Sequence, residues 1–314
     1  MDIVTLGEAM VCLTSLQPSP LQYAPLLEKR VAGAESNVAI AMAKLGFSAG
    51  WISRVGEDPL GCYLRSAVRA EGVDVSAVRS DAACSTGVMF KDVLPGRETQ
   101  VMYYRANSAA SHLGPQDLDQ ALLDSCRILH LSGINFVLSE SCSAAALEAA
   151  RLVRQNGGLV SFDPNLRRKL GKFECWKERS LQMLELSDIV LLGAEEALAL
   201  LGTAEEDAVF ARLSAKGVRW MGLKLGAQGS FAATGNTRVF CEPFRVSCVD
   251  TVGAGDAYDA GFLAGLLMHQ PIDACGRMGN AMGALAVTTK GDYEGLPSRR
   301  ELLNFVSGIP EIAR

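Results

Sequence analysis

The sequence predicts an α/β fold: a mostly parallel central sheet between layers of helices, carrying a small β-sheet lid, in one domain over residues 1–314. Three observations predict it. Short β-type runs alternate with helical patterns along most of the chain, two segments break that rhythm, and no Pro-, Gly- or Ser-rich linker divides the chain in two. With 314 residues, 49% hydrophobic and 21% charged, the chain is long enough to bury a large core, and intrinsic disorder is excluded.

Taken in order, the runs expected as strands are Ile3–Leu6, Ile128–Ser132, Leu159–Asp163, residues 189–192 and Trp220–Lys224. Helices are expected between them. Val38, Ala41, Met42 and Leu45 recur at helical spacing and end at Gly46, which suits a left-handed C-cap. The alanine-rich stretch 141–155 ends at Asn156-Gly157-Gly158. The segments 12–30 and 84–107 lack helical periodicity and carry strand-like pieces, with Pro95-Gly96 as a turn, so they are read as the lid. Its residues Val88, Met89, Phe90 and Met102 are expected to be exposed.

Composition narrows the function. Thirty Lys+Arg against 35 Asp+Glu give a formal net charge of −5, which argues against coating nucleic acid or an anionic membrane. No apolar stretch reaches the roughly 20 residues needed to span a bilayer. The first residues lack a basic segment followed by an apolar one, so a cytoplasmic location is expected. Nine cysteines without a C-x-x-C pair read as reduced thiols, and three scattered histidines leave no zinc-site spacing.

The chemistry concentrates in residues 250–262, DTVGAGDAYDAGF. A β-type run, Phe244-Arg245-Val246-Ser247-Cys248-Val249, is expected to feed a Gly-Ala-Gly turn that opens an apolar helix. Backbone N–H groups at such a helix start cradle an anion, which the helix dipole also favours. Asp256 falls in the first helical turn beside that place. Two readings stand: Asp256 caps the helix, or it takes a proton from an attacking hydroxyl during phosphoryl transfer. The spacing is not that of a dinucleotide-binding G-x-G-x-x-G, and no Gly-Lys-Ser/Thr follows as in a Walker loop.

These residues closely resemble the second signature of the ribokinase, or PfkB-type, carbohydrate kinases. Gly33-Ala34-Glu35-Ser36-Asn37, residues 54–61 (RVGEDPLG) and Lys224-Leu225-Gly226-Ala227-Gln228-Gly229-Ser230 are similar to further segments of that family. The resemblance implies a ribokinase-like three-layer sandwich, ATP as phosphoryl donor and Mg²⁺ as its counterion. It implies Asp256 as base, the N–H groups of Gly253, Ala254 and Gly255 as anion hole, and Lys224, Gly226 and Gly229 on the nucleotide side. The family's N-x-x-E motif stands here as Gly193-Ala194-Glu195-Glu196, without the Asn. Glu196 is its metal-side candidate, through a water; Glu195 is a rival, and a plain helix N-terminus explains the pair equally. The resemblance also allows a monovalent cation near Asp250 and Thr251, where an ordinary turn would serve as well, and a homodimer paired through the lid.

A sugar acid needs a cation, best a guanidinium that grips a carboxylate with two hydrogen bonds. Arg105 ends the lid after Tyr103-Tyr104, and Arg167 follows a strand end in Asp163-Pro164-Asn165-Leu166-Arg167. Both segments are similar to those of 2-keto-3-deoxygluconate kinases within the family. That likeness implies Tyr103, Arg105 and Arg167 at the acid end of the substrate, Gly33 and Asn37 at its hydroxyls, and Asp292 as a further sugar contact. The expected reaction is phosphorylation of the terminal hydroxyl of 2-dehydro-3-deoxy-D-gluconate. The rivals are a family member acting on fructose, ribose or 5-dehydro-2-deoxygluconate, and a non-catalytic sensor on the same fold.

Overall fold

Consecutive strand residues in this chain are apolar on both faces, which demands cover on both sides of the sheet. Ile189 and Leu191 enter one hydrophobic cluster while Val190 and Leu192 enter the other; Trp51 and Ile52 divide in the same way. The computed structural model describes residues 1–94 and 99–309. Among them, thirteen strands form two sheets: β1 (Ile3–Leu6), β2 (Met10–Ser15), β3 (Leu27–Ala32), β4 (Ala49–Gly56), β5 (Val78–Asp81), β6 (Val88–Asp92), β7 (Gln100–Tyr104), β8 (Ile128–Ser132), β9 (Leu159–Asp163), β10 (Ile189–Gly193), β11 (Trp220–Lys224), β12 (Ser230–Thr234) and β13 (Thr237–Cys241).

The large sheet has the order β13-β12-β11-β10-β9-β8-β1-β4-β5. Its strands from β11 to β5 are parallel, and β12 and β13 add an antiparallel hairpin at one edge. Helices Ala34–Lys44, Ala254–Leu267 and Ile272–Ala286 cover one face; Glu140–Gln155, Phe173–Leu186 and Glu206–Ser214 cover the other. This is the three-layer sandwich expected from the sequence. No helix among the described residues is long and apolar enough to cross a membrane.

The small sheet has the order β3-β2-β6-β7, with β2 and β6 parallel and the outer pairs antiparallel. One face buries Met10, Cys12, Ala32 and Met89. Met89 is therefore not the exposed lid residue expected: the two-residue strand period puts it on the inward face. Val88 and Phe90 are half-buried, Met102 stands exposed as expected, and the exposed Tyr104 ring meets Phe90 edge-on at 5.5 Å. The expected Pro95-Gly96 turn lies outside the described residues.

A second correction concerns residues 244–249, which form no strand. Their β-type composition favours extended backbone, but composition alone does not make a strand: the segment runs past the edge strand β13 without pairing to it, and the Val249 N–H donates instead to the Val287 carbonyl at 2.7 Å. All nine cysteines are free thiols.

The helices Ala254–Leu267 and Ile272–Ala286 approach closely because glycines face each other. A Cβ at Gly261 would lie 2.5 Å from the Met278 carbonyl oxygen and 2.9 Å from the Gly279 Cα. Neither is a flexible side chain, so the helices would have to part. Gly261→Ala should cost about 1–3 kcal/mol, read as a melting temperature several degrees lower. An unchanged thermal transition would show that the helices have slack.

Candidate active site

The parallel strands β9, β10 and β11 end on the same side of the sheet, and an open α/β sheet binds ligands outside those carboxyl ends. There the small sheet and the start of helix Ala254–Leu267 enclose a cavity of about 480 Å³. Gly33, Asn37, Tyr103, Arg105, Arg167, Asp292, Glu196, Lys224, Gly226, Gly253, Ala254, Gly255 and Asp256 all line it. Gly229 does not; it lines an adjoining cavity of about 540 Å³. The two cavities share Lys224, Gly226, Thr251, Ala254 and Gly255, so they meet along the glycine turn.

That turn is fixed by sterics. Gly253 has φ +79°, and a Cβ there would lie 2.4 Å from the Asp292 carbonyl oxygen. Only glycine accepts both conditions. No acceptor within the described protein takes the N–H groups of Ala254 and Gly255, so they are free for an anion at the helix start.

Asp256 makes no capping hydrogen bond. Its Oδ2 instead accepts from Asn37 Nδ2 at 2.7 Å, and the same amide reaches Asp292 Oδ2 at 3.4 Å. Burial pushes the Asp256 carboxyl up to about 6, partly opposed by the Asn37 hydrogen bond and the charge of Arg167, while Asp163 and Asp292 add to the rise. Asn37 Oδ1 is buried without a partner. A buried acceptor left open in a cavity wall suits a ligand hydroxyl.

The cations of the wall differ in what they can offer. Arg105 Nε donates to Glu8 Oε2 at 2.6 Å, and Glu8 also accepts from Ser108. Lys91, on β6, is paired with Asp292 at 2.7 Å. Lys224 sits 3.0 Å from both Asp163 and Asp259. Burial alone would lower the Lys224 ammonium, but Asp163 and Asp259 hold it raised. Asp163 is held below the usual carboxylate range by Lys224 against its own burial. Among the described residues, Arg167 is the one lining cation whose side chain has no hydrogen-bond or ion-pair partner, and it is exposed to solvent at the cavity wall.

Glu196 and Glu195 separate cleanly. Glu196 faces the cavity, with Oε1 accepting from the Leu166 N–H at 2.9 Å and Oε2 from the Gly193 N–H at 2.5 Å. Glu195 is exposed and pairs with Arg168 on the surface. Asp250 accepts from the N–H groups of Val252 and Gly291, the geometry of a turn. Among the described residues no group of three or more His, Cys, Asp or Glu is arranged to hold a metal.

Four partners escaped the sequence reading: Glu8, Lys91, Asp163 and Asp259. Lys91 had a signal, since strand alternation places it on the same face as Met89. The other three became meaningful only through partners distant in sequence.

Residues 1–299 match the pfkB family carbohydrate kinase. The chain is 36% identical over 315 residues to a 2-dehydro-3-deoxygluconokinase of Bacillus subtilis, covering 98% of this chain and 96% of that protein. A 2-dehydro-3-deoxygluconokinase of Thermoproteus tenax is 33% identical over 317 residues, covering 98% and 95%. The fold matches, with a TM-score of 0.91 and 28% identity, an E. coli protein described as a ribokinase II and crystallised with ATP and Mg²⁺, covering 98% and 99% of the two chains. The chain belongs to the pfkB family of carbohydrate kinases, enzymes that phosphorylate sugars.

The raised Asp256 carboxyl can be tested without substrate. In ¹³C NMR of the unliganded protein, one aspartate carboxyl should titrate with a midpoint of about 6 and vanish in Asp256→Asn. A midpoint near the ordinary value of about 4 would overturn the effect of burial.

Proposed function

We propose that this enzyme transfers a phosphoryl group from ATP to the terminal hydroxyl of 2-dehydro-3-deoxy-D-gluconate. The observation that carries the reading is Arg167, a guanidinium on the cavity wall with no carboxylate of its own among the described residues. A ligand carboxylate would supply one. The 2-dehydro-3-deoxygluconokinase relatives support the same substrate class.

The adjoining cavity, lined by Pro243, Phe244, Val246, Ala284 and Val287, has the apolar walls a purine requires. The shared glycine turn would then flank the phosphates. A divalent cation that keeps most of its shell as phosphate oxygens and water needs only one or two protein carboxylates, and Glu196 is the cavity-facing residue to hold one of its waters. Mg²⁺·ATP supplies the transferable phosphoryl group and offsets its charge.

Asn37 Oδ1 accepts a sugar hydroxyl, while its amide holds Asp256 toward the same hydroxyl. Asp256 takes the proton as the oxygen attacks. The free N–H groups of Ala254 and Gly255 face the charge on the transferring group.

Two measurements test this reading. Asp256→Asn should fold and still bind the sugar acid, yet lose about 10²- to 10⁴-fold in kcat; near-normal turnover would sink the assignment of the base. Arg167→Ala should raise KM for the acid about 10- to 100-fold and leave a neutral ketose such as fructose much less affected. An equal rise for both would count against carboxylate recognition and favour a kinase of neutral sugars.

A further inference from the structure

Four segments distant in sequence meet in one hydrogen-bonded chain. Lys91 Nζ, from β6 of the small sheet, donates to Asp292 Oδ1 at 2.7 Å. Asn37 Nδ2, from helix Ala34–Lys44, donates to Asp292 Oδ2 at 3.4 Å and to Asp256 Oδ2 at 2.7 Å. The Lys91 and Asp292 side chains are only 5% and 7% exposed.

A buried ion pair is often no more stabilising than apolar residues of the same volume, and Met89 shows that this face of β6 accepts one. Lys91 therefore calls for a reason beyond stability. One amide serving two carboxylates supplies it. Asp256 and Asp292 would repel each other across Asn37 unless one of them carried a counter-charge.

We propose that Lys91 is a positioning residue: by pairing with Asp292 it lets Asn37 hold both carboxylates, so that the small sheet fixes the place and charge of Asp256. This rests on the reading of Asp256 as the base. The groups that act on Asp256 are Arg167 and Asp163 from the end of β9, Asp292 from the segment before the last helix, and Asn37 and Glu35 from helix Ala34–Lys44. Those that act on Lys91 are Asp292, Cys12 of β2 and Asp250 ahead of the glycine turn.

Signs follow from the charges. Removing the Lys91 cation leaves Asp292 an uncompensated anion, which disfavours ionised Asp256 and moves the acid limb of the kcat–pH profile upward. Removing the Asp292 anion moves it downward. Removing both leaves it no higher than in the wild type.

The test is kcat at saturating ATP and sugar acid, followed across the acid limb. Lys91→Met should raise the limb by about half a pH unit or more. Asp292→Asn should lower it, Lys91→Met/Asp292→Asn should lie at or below the wild type, and Lys91→Arg should restore the wild-type position. A limb that stays put in the single variants, or moves the same way in both, overturns the role of Lys91 whatever happens to kcat.

If Lys91→Met does not fold, Asp292→Asn and the double variant carry the same comparison: the amide oxygen introduced by Asp292→Asn still accepts from Lys91 in the first, and the second leaves neither charge of the pair. The double variant's limb should then lie above that of Asp292→Asn, and coincidence of the two overturns the proposal. Asp256→Asn separates this failure from the other. An inactive Asp256→Asn with unmoved limbs removes only Lys91, whereas an active one removes the base.

Discussion

A carboxylate that is to take a proton from a sugar hydroxyl has to leave bulk water, and this desolvation of Asp256 is the constraint around which the cavity is arranged. Burial raises the group, and the Asn37 amide and the Arg167 charge oppose that rise, which ends at about 6. The same loss of solvent falls on the other enclosed charges of the wall, and these are answered in kind, while Arg167 stands exposed. Arg105 is met by Glu8, Lys91 by Asp292, and Lys224 by Asp163 and Asp259. A charge left unpaired in such surroundings costs far more than an exposed one, so each partner is part of the site even where it touches no substrate.

The topology brings these groups together. In the large sheet β1 lies between β4 and β8, so the chain builds outward from β1 in both directions and leaves a crevice at the carboxyl ends of the strands. Glu8 follows β1, Asp163 ends β9, Glu196 follows β10 and Lys224 ends β11. The remaining wall is pinned from the other side. The Gly253 turn lies so close to the Asp292 backbone that no side chain fits between them, and this ties the helix bearing Asp256 to the segment bearing Asp292. Arg30 of β3 bonds the Lys290 carbonyl and pairs with Glu294, which fastens the small sheet to that same segment.

Much of this was legible in the sequence where the determinant is local. The apolar runs of β1, β8, β9, β10 and β11 declare themselves because both faces of those strands are buried. The glycine spacing of 253–255 is equally local, because a positive φ and a close backbone approach each demand glycine. β4 and β5 were missed, as were β12 and β13: Ser-Phe-Ala-Ala-Thr and Thr-Arg-Val-Phe-Cys form strands through the pairing of β12 with β11 and of β13 with β12 more than through their own composition. Residues 244–249 failed in the opposite sense, with strand composition and no partner. The site divides along the same line. Asn37, Asp256, Arg167 and the glycines are visible as motif residues, whereas Glu8 acquires its meaning from Arg105, 97 residues away, and Lys91 from Asp292, 201 residues away.

Charge accounting changes what recognition can rest on. The chain carries a formal net charge of −5, and the main cavity is lined by Lys91, Arg105, Arg167 and Lys224 against Glu8, Asp163, Glu196, Asp256 and Asp292. A cation excess would draw in any anion, but this wall has none. Discrimination must therefore be directional. Arg105 keeps N–H donors beyond those that hold Glu8, yet its charge is already compensated, and Lys224 is enclosed by two carboxylates. What remains is one uncommitted guanidinium and the open N–H groups at the helix start, on walls of the same cavity. An anionic ligand then gains from being anionic only if its charge sits at one of those places. A sugar with a carboxylate at one end and a hydroxyl to be phosphorylated at the other meets that condition through its shape, because the guanidinium holds one end while Asp256 receives the other.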